Sequence, residues 1–363
     1  MPNTMEKLPT LGKIHADFFR RVIYPRLGIK DVSVIVKPQH GVDFGVINLG
    51  ATRKGAPPLP IAAGAKVIVM STDPFYIAKE LGIEKATWFA IHIIASDVAV
   101  SGIRPRYLSV DLNLPPEMTE EELEIMWNTV HDECTKLEIT VVTGHTARYA
   151  GCNYPMVGGA TMIGVGSRKK LIIPKLTVGD YIIVSKGPAI ETTGLMAAYF
   201  PKFLEEKFGK DFVDKAQKVY YQMSTVKDAL IAASVGGVTA MHDATECGVF
   251  GGLYEMADHS DVGMDIHLDN MIIQDEVKKT CECFGIDPYK SISEGTLLAT
   301  AKRSKAKIIV SALKDEGIPA SVAGEVVPKK SGIRVFEGNS WRRLEHPKID
   351  PFWGKFEEYL KKR

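Results

Sequence analysis

Five acidic side chains follow or interrupt apolar runs of this sequence, where carboxylates are uncommon. They are Asp43 in HGVDFGVINLG, Asp73 in VMSTDPF, Asp97 in IIASDVAV, and Asp243 and Glu246 in MHDATECGVFGGL. A carboxylate beside buried residues is costly unless it meets a cation or a set of hydrogen-bond donors. Several carboxylates brought together would repel one another unless a divalent metal ion neutralises them. Oxygen-only clusters suit Mg²⁺, Mn²⁺ or Ca²⁺.

Each of these residues also has a simpler interpretation, as a helix cap or a turn residue. Asp43 and Asp243 are well placed for that role, so both interpretations of them stay open. Asp97 is harder to explain in this way because its neighbours are apolar: Ala95, Val98, Ala99 and Val100.

Two glycine-rich segments could hold phosphate through backbone N–H groups. The common phosphate-binding sequences, GxxxxGK[ST] and GxGxxG after a strand, do not occur. Residues 187–194 (GPAIETTG) and 246–253 (ECGVFGGL) both lead into predicted helix N-termini, which attract anions. Helix capping is the alternative explanation of their glycines. The candidate nucleotide-binding residues are Gly187, Glu191, Thr192, Gly248 and Gly251.

His145 is the histidine best placed to bind a metal ion, because it ends a predicted strand in VVTGHTARYAG. His92 has an apolar helical context, which is typical of a core histidine. The five cysteines form no CxxC pair, and Cys247 is interpreted as a small packing residue. Their odd number argues against a disulfide-built secreted scaffold and favours a reducing cytoplasm.

Strands and helices that alternate in both halves of the chain must position these side chains. Apolar, β-branched runs predict strands at 33–37, 44–48, 66–72, 106–114 and 139–144. The apolar segment 84–101 is too long for one strand and predicts a buried helix. Thr119 and Glu122 form a capping box that begins another helix.

The pattern predicts two domains of mixed α/β and α+β type. The lysine-rich segment SRKKLIIPKLTVGD, with its proline and glycine, predicts the boundary between them. We expect a helical segment over 1–30, with an amphipathic helix at 11–27. It is followed by an α/β domain over 31–170, an α+β domain over 171–340 and a tail over 341–363.

Composition argues against several classes of partner. The 363 residues contain 45 Lys+Arg and 44 Asp+Glu, a formal net charge of +1, which argues against nucleic acid or an anionic membrane. No segment approaches the roughly 18–20 apolar residues of a membrane span. The N-terminus lacks the apolar core of a signal peptide. We therefore expect a cytoplasmic protein.

The order of the motifs resembles one superfamily over about residues 40–326. GVDFGVI, STDPF, ASDVAVSGIRPRYLS, VVTGHTARYAG, HDATECGVFGGLYEMA and FGIDPYKSISEGTLL follow one another. This order is similar to that of aminoimidazole ribonucleotide synthetase (PurM), hydrogenase maturation protein HypE, thiamine-monophosphate kinase and selenophosphate synthetase. Two segments, SDVAVSGIRPRYLS and DPYKSISEGTLL, look closest to the HypE-like branch.

The resemblance implies a PurM-like fold with two domains, in which the N-terminal domain pairs with a second copy through strands. It implies ATP bound with divalent metal ions, and phosphoryl attack or transfer. Carried over by position, it implies metal binding by Asp43, Asp73, Asp97, Asp243 and Glu246, with Ser71, Thr72 and Thr245 as oxygen neighbours.

Three departures from the superfamily pattern matter. His145 stands where relatives have an Asp in a GDT turn, which favours Mn²⁺ or another transition metal over Mg²⁺. No cysteine follows Cys283, whereas HypE carries a reactive cysteine in its C-terminal tail. The first cysteine is Cys134, so the N-terminal redox cysteine of selenophosphate synthetase has no counterpart.

The expected function is metal-dependent phosphate chemistry by a phosphatase-like or ATPase-like enzyme. Asp73 and Asp243 are the expected catalytic residues. The expected ion is Mg²⁺ or Mn²⁺ (or Ca²⁺), bound by Asp43, Asp73, Asp97, His145, Asp243 and Glu246. The substrate of the enzyme would be ATP or a small phosphorylated metabolite. One alternative is an ATP-dependent synthetase or kinase. Another is a non-catalytic metal-binding or nucleotide-binding maturation partner. We expect a homodimer with no nucleic-acid or membrane partner.

Overall fold

The protein is described here from a computed structural model, which covers residues 20–21, 24–27, 32–37, 39, 42–49 and 66–362. The predicted segment 1–30, with its helix at 11–27, lies mostly outside the described residues. Two mixed β-sheets divide the described chain, one between residues 34 and 167 and the other between residues 181 and 343. The predicted combination of α/β and α+β layers is confirmed.

The first sheet has six strands in the order β1-β2-β3-β6-β4-β5. Strands β4 and β5 are parallel, and the other neighbours are antiparallel. Strand β3 runs along both β2 and β6, which places its middle in the interior of the sheet. The strands are β1 (Val34–Val36), β2 (Gly45–Asn48), β3 (Lys66–Tyr76), β4 (Pro105–Leu114), β5 (Thr140–Arg148) and β6 (Met156–Ser167).

In the described part of the chain, two α-helices cover this sheet. Helix α1 (Ile83–Ala99) is the predicted buried helix, and most of its side chains are buried, including Asp97. Helix α2 (Glu120–Lys136) begins with the predicted capping box, in which Thr119 accepts from the Glu122 N–H and Glu122 accepts from the Thr119 N–H.

The second sheet has seven strands in the order β13-β12-β9-β11-β7-β10-β8. Strands β9 and β12 are parallel, and the remaining neighbours are antiparallel. Strand β8 lies at one edge of this sheet, and its last residue is Asp243. The strands are β7 (Tyr181–Ser185), β8 (Val238–Asp243), β9 (Gly263–His267), β10 (Leu297–Ala301), β11 (Ala320–Val327), β12 (Ile333–Glu337) and β13 (Ser340–Arg343).

Eight helices accompany the second sheet. Residues 190–235 form four helices, because Pro201 begins a new helix and Gly209 separates the next pair. The helices are α3 (Ile190–Tyr199), α4 (Pro201–Phe208), α5 (Lys210–Lys218), α6 (Val226–Val235), α7 (Gly248–Ser260), α8 (Asp275–Phe284), α9 (Arg303–Asp315) and α10 (Pro351–Leu360).

One apolar cluster joins the two sheets. It contains Val69 of β3 and Ile91 of α1 together with Ala229 of α6 and Met241 of β8. Helix α1 therefore packs against its own sheet on one side and against the second half of the chain on the other. This shared core fixes the position of β3 relative to β8, the two strands that carry Asp73 and Asp243.

Strand β3 is longer than the sequence predicted. The prediction ended it at residue 72, just before Asp73, but β3 continues to Tyr76 because β6 provides pairing partners as far as Met156. Asp73 consequently lies within the sheet, opposite Ala160, and does not lie where the chain leaves it.

Among the described residues, no helix combines the length and the apolar composition that a membrane crossing requires.

Candidate metal centre

Four of the predicted carboxylates come together between the two sheets. Asp43 precedes β2, Asp73 lies in β3 and Asp97 in α1, whereas Asp243 ends β8. The negative charges of Asp243, Asp73 and Asp43 all act on the carboxyl of Asp97. Both halves of the chain therefore contribute acidic groups to one site, and metal binding by these four residues stays a prediction.

His242 lies beside two of these carboxylates. Its Nδ1 donates to Asp43 Oδ2 at 2.6 Å and lies 3.9 Å from Asp243 Oδ1. One ligand atom from each of these three residues lies within 4.8 Å of the others. Asp243 is fully buried and His242 is 2% exposed, so solvent screens this group poorly.

Burial raises the pKa of the Asp97 carboxyl well above its ordinary value, and the neighbouring carboxylates raise it further. The Ser71 hydroxyl donates to Asp97 Oδ2 at 2.7 Å and partly opposes these effects. Ser71 was expected as an oxygen neighbour of the metal, and the structure places it in direct contact with one of the candidate ligands.

Burial alone would lower the pKa of His242, but Asp43 and then Glu255 raise it well above its ordinary value. These carboxylates favour the protonated form of the ring, which offsets part of the acidic charge. One histidine among four aspartates leaves the site rich in acidic groups. A divalent cation would balance this acidity, and the oxygen-rich donor set is of the kind that suits Mg²⁺ or Mn²⁺.

His242 is a candidate residue that the sequence pattern did not single out. The available signal was the pattern HD at the end of a strand, which places an imidazole beside a carboxylate that was already singled out. Successive side chains of a strand point to opposite faces, so the adjacency of His242 and Asp243 in sequence does not by itself predict that both face one site. His242 is the penultimate residue of β8, an edge strand, and Asp43 approaches it from the other half of the chain.

The structure separates His145 from the aspartates. His145 is exposed on β5 and lies opposite Asp111 of β4. Asp111 pairs in turn with Gly159 of β6. The residue next to Gly159, Ala160, is the partner of Asp73 in β3. Three strand spacings of about 4.8 Å place it about 14 Å from Asp73 within one chain. Its Nε2 contacts the Tyr149 hydroxyl at 2.8 Å. As a metal ligand within this chain, His145 is not supported.

Glu246, the fifth predicted acidic ligand, lies beside Asp350 of the C-terminal tail. Its charge contributes to the raised pKa of Asp350. The Asp350 carboxylate accepts from the Cys247 N–H at 2.7 Å, immediately before helix α7. The N-terminus of α7 is therefore occupied by a side chain of the tail, and metal binding by Glu246 stays a prediction.

The glycine-rich loops are held by contacts within the protein. Gly187 and Gly248 have φ values of +91° and +58°, and a Cβ at either would collide with the carbonyl oxygen of Ile272 or Ser291. A Cβ at Gly251 would lie 2.6 Å from the Cys247 Cβ. Close packing of the backbone accounts for all three glycines, so their role in nucleotide binding stays a prediction.

The same holds for the two polar candidates at the start of α3. The Thr192 hydroxyl is fully buried and contacts Ser291 Oγ at 2.6 Å and the Ile292 carbonyl at 2.9 Å. Glu191 Oε2 accepts from the Glu294 N–H at 3.1 Å. Both side chains tie α3 to the loop before β10, and nucleotide binding by them stays a prediction.

Comparison with curated proteins finds relatives that are named as hydrogenase expression/formation protein and as HypE. A putative hydrogenase expression/formation protein of Methanocaldococcus jannaschii is 25% identical over 349 residues, which cover 94% of this chain and 96% of the relative. The carbamoyl dehydratase HypE of Escherichia coli is 28% identical over 247 residues, which cover 66% of this chain and 70% of that protein.

Comparison with solved structures gives the same picture. The crystal structure of Escherichia coli HypE superposes with a TM-score of 0.65 at 26% identity, covering 78% of this chain and 87% of the other. A structure of hydrogenase maturation protein HypE in complex with ATP superposes with a TM-score of 0.63 at 20% identity, covering 82% and 89%. The latter likeness shows a common fold.

Two domain families match adjacent parts of the chain. Residues 57–166 match the N-terminal domain of AIR synthase related proteins, and residues 177–336 match their C-terminal domain. The two matches flank the segment that separates the two sheets. Together with the likeness to HypE, they show that the chain belongs to the AIR synthase related family, within the PurM/HypE-like superfamily.

Proposed function

We propose that this protein is a divalent-metal-dependent enzyme that binds ATP and transfers its terminal phosphoryl group to an oxygen of a small-molecule acceptor. The convergence of Asp43, Asp73, Asp97 and Asp243 carries this proposal. Carboxylates repel the phosphates of ATP, so this arrangement is useful for phosphate chemistry only with cations between the two.

Four aspartates would hold the ions of this proposed enzyme. Bound Mg²⁺ or Mn²⁺ would neutralise the phosphate oxygens and orient the terminal phosphoryl group. Within the chain, the Ser71 hydroxyl orients the Asp97 carboxylate, and His242 orients Asp43. Burial of Asp243 excludes water from the inner side of the site. In this proposal Asp73, half-buried in β3, faces the reacting phosphate.

The relatives favour ATP-dependent transfer over the phosphatase interpretation. One relative is named a dehydratase, and one structural neighbour is described in complex with ATP. In general, an oxygen leaves more readily from carbon once it carries a phosphoryl group, so phosphoryl transfer suits both kinase and synthetase or dehydratase chemistry. The expected phosphatase activity on phosphate esters gains no support from these relatives.

Direct binding and turnover of ATP test this proposal. The purified full chain is titrated with ATP in the presence of Mg²⁺, Mn²⁺ or a chelator, and release or transfer of radiolabelled terminal phosphate is followed. We expect ATP binding that requires a divalent ion. Asp73→Asn keeps the side-chain shape but removes a charge, and should lower turnover at saturating metal at least tenfold.

Asp111→Asn is the matched control. Asp111 is an exposed aspartate of the same sheet that contacts only Asn113 among the hydrogen bonds described, and its substitution should leave turnover near that of the wild type. Failure of the wild-type chain to bind ATP with any of these ions would refute the proposal. Hydrolysis of a chromogenic phosphate ester without ATP binding would restore the phosphatase interpretation.

A maturation partner without chemistry of its own is the second candidate. The relative that covers 94% of this chain carries the name of a hydrogenase expression/formation protein, which favours this role. Metal-dependent ATP binding without any release or transfer of phosphate, in the same experiment, would support it over the enzyme.

A further inference from the structure

We propose that His242 is itself a metal ligand, through Nδ1, and that it makes the site prefer a transition ion such as Mn²⁺ over Mg²⁺. This inference rests on the ion site of the proposed function. The ring lies deep between the two halves of the chain, with 3% of its side chain exposed. Its Nδ1 faces Asp43 and Asp243, so an ion that binds these two carboxylates meets the ring nitrogen.

The spacing of the three groups suits one small ion. Divalent ions of this class bind nitrogen and oxygen at about 2.0–2.2 Å, so adjacent ligand atoms lie about 3 Å apart and opposite ones about 4.2 Å apart. Nδ1 lies 2.6 Å from Asp43 Oδ2 and 3.9 Å from Asp243 Oδ1. Only small side-chain movements separate the observed arrangement from a coordinated one.

The opposite side of the ring provides a second, independent argument. Nε2 lies 3.8 Å from Glu255 Oε2, and Glu255 Oε1 lies 3.5 Å from His346 Nε2. A histidine that binds a metal usually directs its other ring N–H to a carboxylate, which fixes the tautomer and strengthens the ligand. Glu255, in helix α7, is placed for this role.

The chemistry of the donor determines which ion is preferred. Carboxylate oxygens alone suit Mg²⁺, whereas an imidazole nitrogen among them favours the first-row transition ions. From the sequence, such a shift is expected of His145, but His145 lies about 14 Å from Asp73 across the sheet. Here the same shift is assigned to a buried histidine that contacts Asp43 directly.

Pulsed EPR of bound Mn²⁺ tests this assignment, because it detects the nuclear spin of a nitrogen bonded to the ion. The full-length wild type should show this coupling. His242→Asn places a carboxamide near the position of Nδ1, so this variant should still bind Mn²⁺ but lose the imidazole coupling. Its affinity for Mn²⁺ relative to Mg²⁺, measured by calorimetry, should fall.

His145→Asn is the matched control and should keep the coupling. Glu255→Gln should keep it as well but weaken Mn²⁺ binding about ten- to a hundredfold. It is also the second test if His242→Asn fails to fold, as judged by circular dichroism. Absence of nitrogen coupling in the wild type, its loss in His145→Asn, or unchanged Mn²⁺ affinity of Glu255→Gln would each overturn the inference.

The two proposals fail in different ways. ATP turnover by a wild type without nitrogen coupling would reject the role of His242 and leave the enzyme intact. Nitrogen coupling lost only in His242→Asn, in a protein that never binds ATP, would reject the proposed function and retain the metal ligand.

Discussion

Asp350 allows a quantitative test of how the C-terminal tail is attached. Its carboxylate accepts from the N–H groups of Cys247 at 2.7 Å and Phe352 at 2.8 Å, and so joins helix α10 to the start of α7. The side chain is 6% exposed, and burial raises the pKa of Asp350 from 3.8 to about 6 although these donors oppose the shift.

The sign of the resulting pH dependence follows from proton binding. Between about pH 4 and pH 6, the folded protein holds the Asp350 proton more tightly than the unfolded chain, so this group lowers the free energy of unfolding as the pH rises. At about 1.4 kcal/mol per pKa unit, a shift from 3.8 to about 6 corresponds to about 3 kcal/mol.

Asp350→Asn removes this contribution. We expect the unfolding free energy of the variant, relative to the wild type, to rise by about 3 kcal/mol between about pH 4 and pH 7. Urea unfolding of both proteins at several pH values, with chelator present, measures this difference. Other titrating groups largely cancel because they are common to both proteins.

Asp287→Asn provides a matched control. Asp287 also precedes a proline and an aromatic residue, and its Oδ1 accepts from the Tyr289 N–H at 3.0 Å, but its side chain is 37% exposed. Its substitution removes a similar cap from an exposed position, so it separates the effect of burial from the loss of the cap. If Asp350→Asn instead loses stability relative to the wild type as the pH rises, the backbone donors outweigh burial and the reasoning is refuted.

Three further predictions concern the site, a loop and the assembly. With chelator at neutral pH, Asp97→Asn should be more stable than the wild type, because the raised pKa of Asp97 reflects burial and repulsion of its charged form. Mn²⁺ should stabilise the variant less than the wild type, and an unchanged melting temperature with chelator would contradict the prediction. Gly248→Ala should destabilise the protein by at least about 1 kcal/mol, since the new Cβ meets the Ser291 carbonyl, whereas Gly354→Ala in open space should not; equal denaturation midpoints would argue against it. Strand β5 is an edge strand, and its Val142 is 53% exposed, so we expect a dimer that forms through this edge and that Val142→Lys weakens. A monomeric wild type in light scattering would disprove this prediction.

The sequence predicted the elements that hold the acidic groups because their signals are local. The apolar run with Asp97 has the length of a helix, and the run before Asp73 has the composition of a strand. The capping box at Thr119 was found for the same reason. Each of these features depends on residues within a few positions of one another.

Features that depend on distant pairing could not be predicted in this way. The contact of His242 with Asp43 joins residues 199 positions apart and exists only because the two halves share one core. The distance of His145 from the site follows from the order of strands in the sheet, which no local pattern specifies. Gly187 and Gly248 likewise pack against the carbonyl groups of residues far away in sequence, Ile272 and Ser291.

Because each half of the chain supplies part of the site, an ion held between Asp43 and Asp243 would act as a cross-link. These residues are 200 positions apart, so the ion would close a loop of more than half the chain. The entropy that such a closure removes from the unfolded chain grows only slowly with loop length, but it is already substantial at this size. Loss of the ion would then loosen the two halves together, and susceptibility to proteases would report metal occupancy.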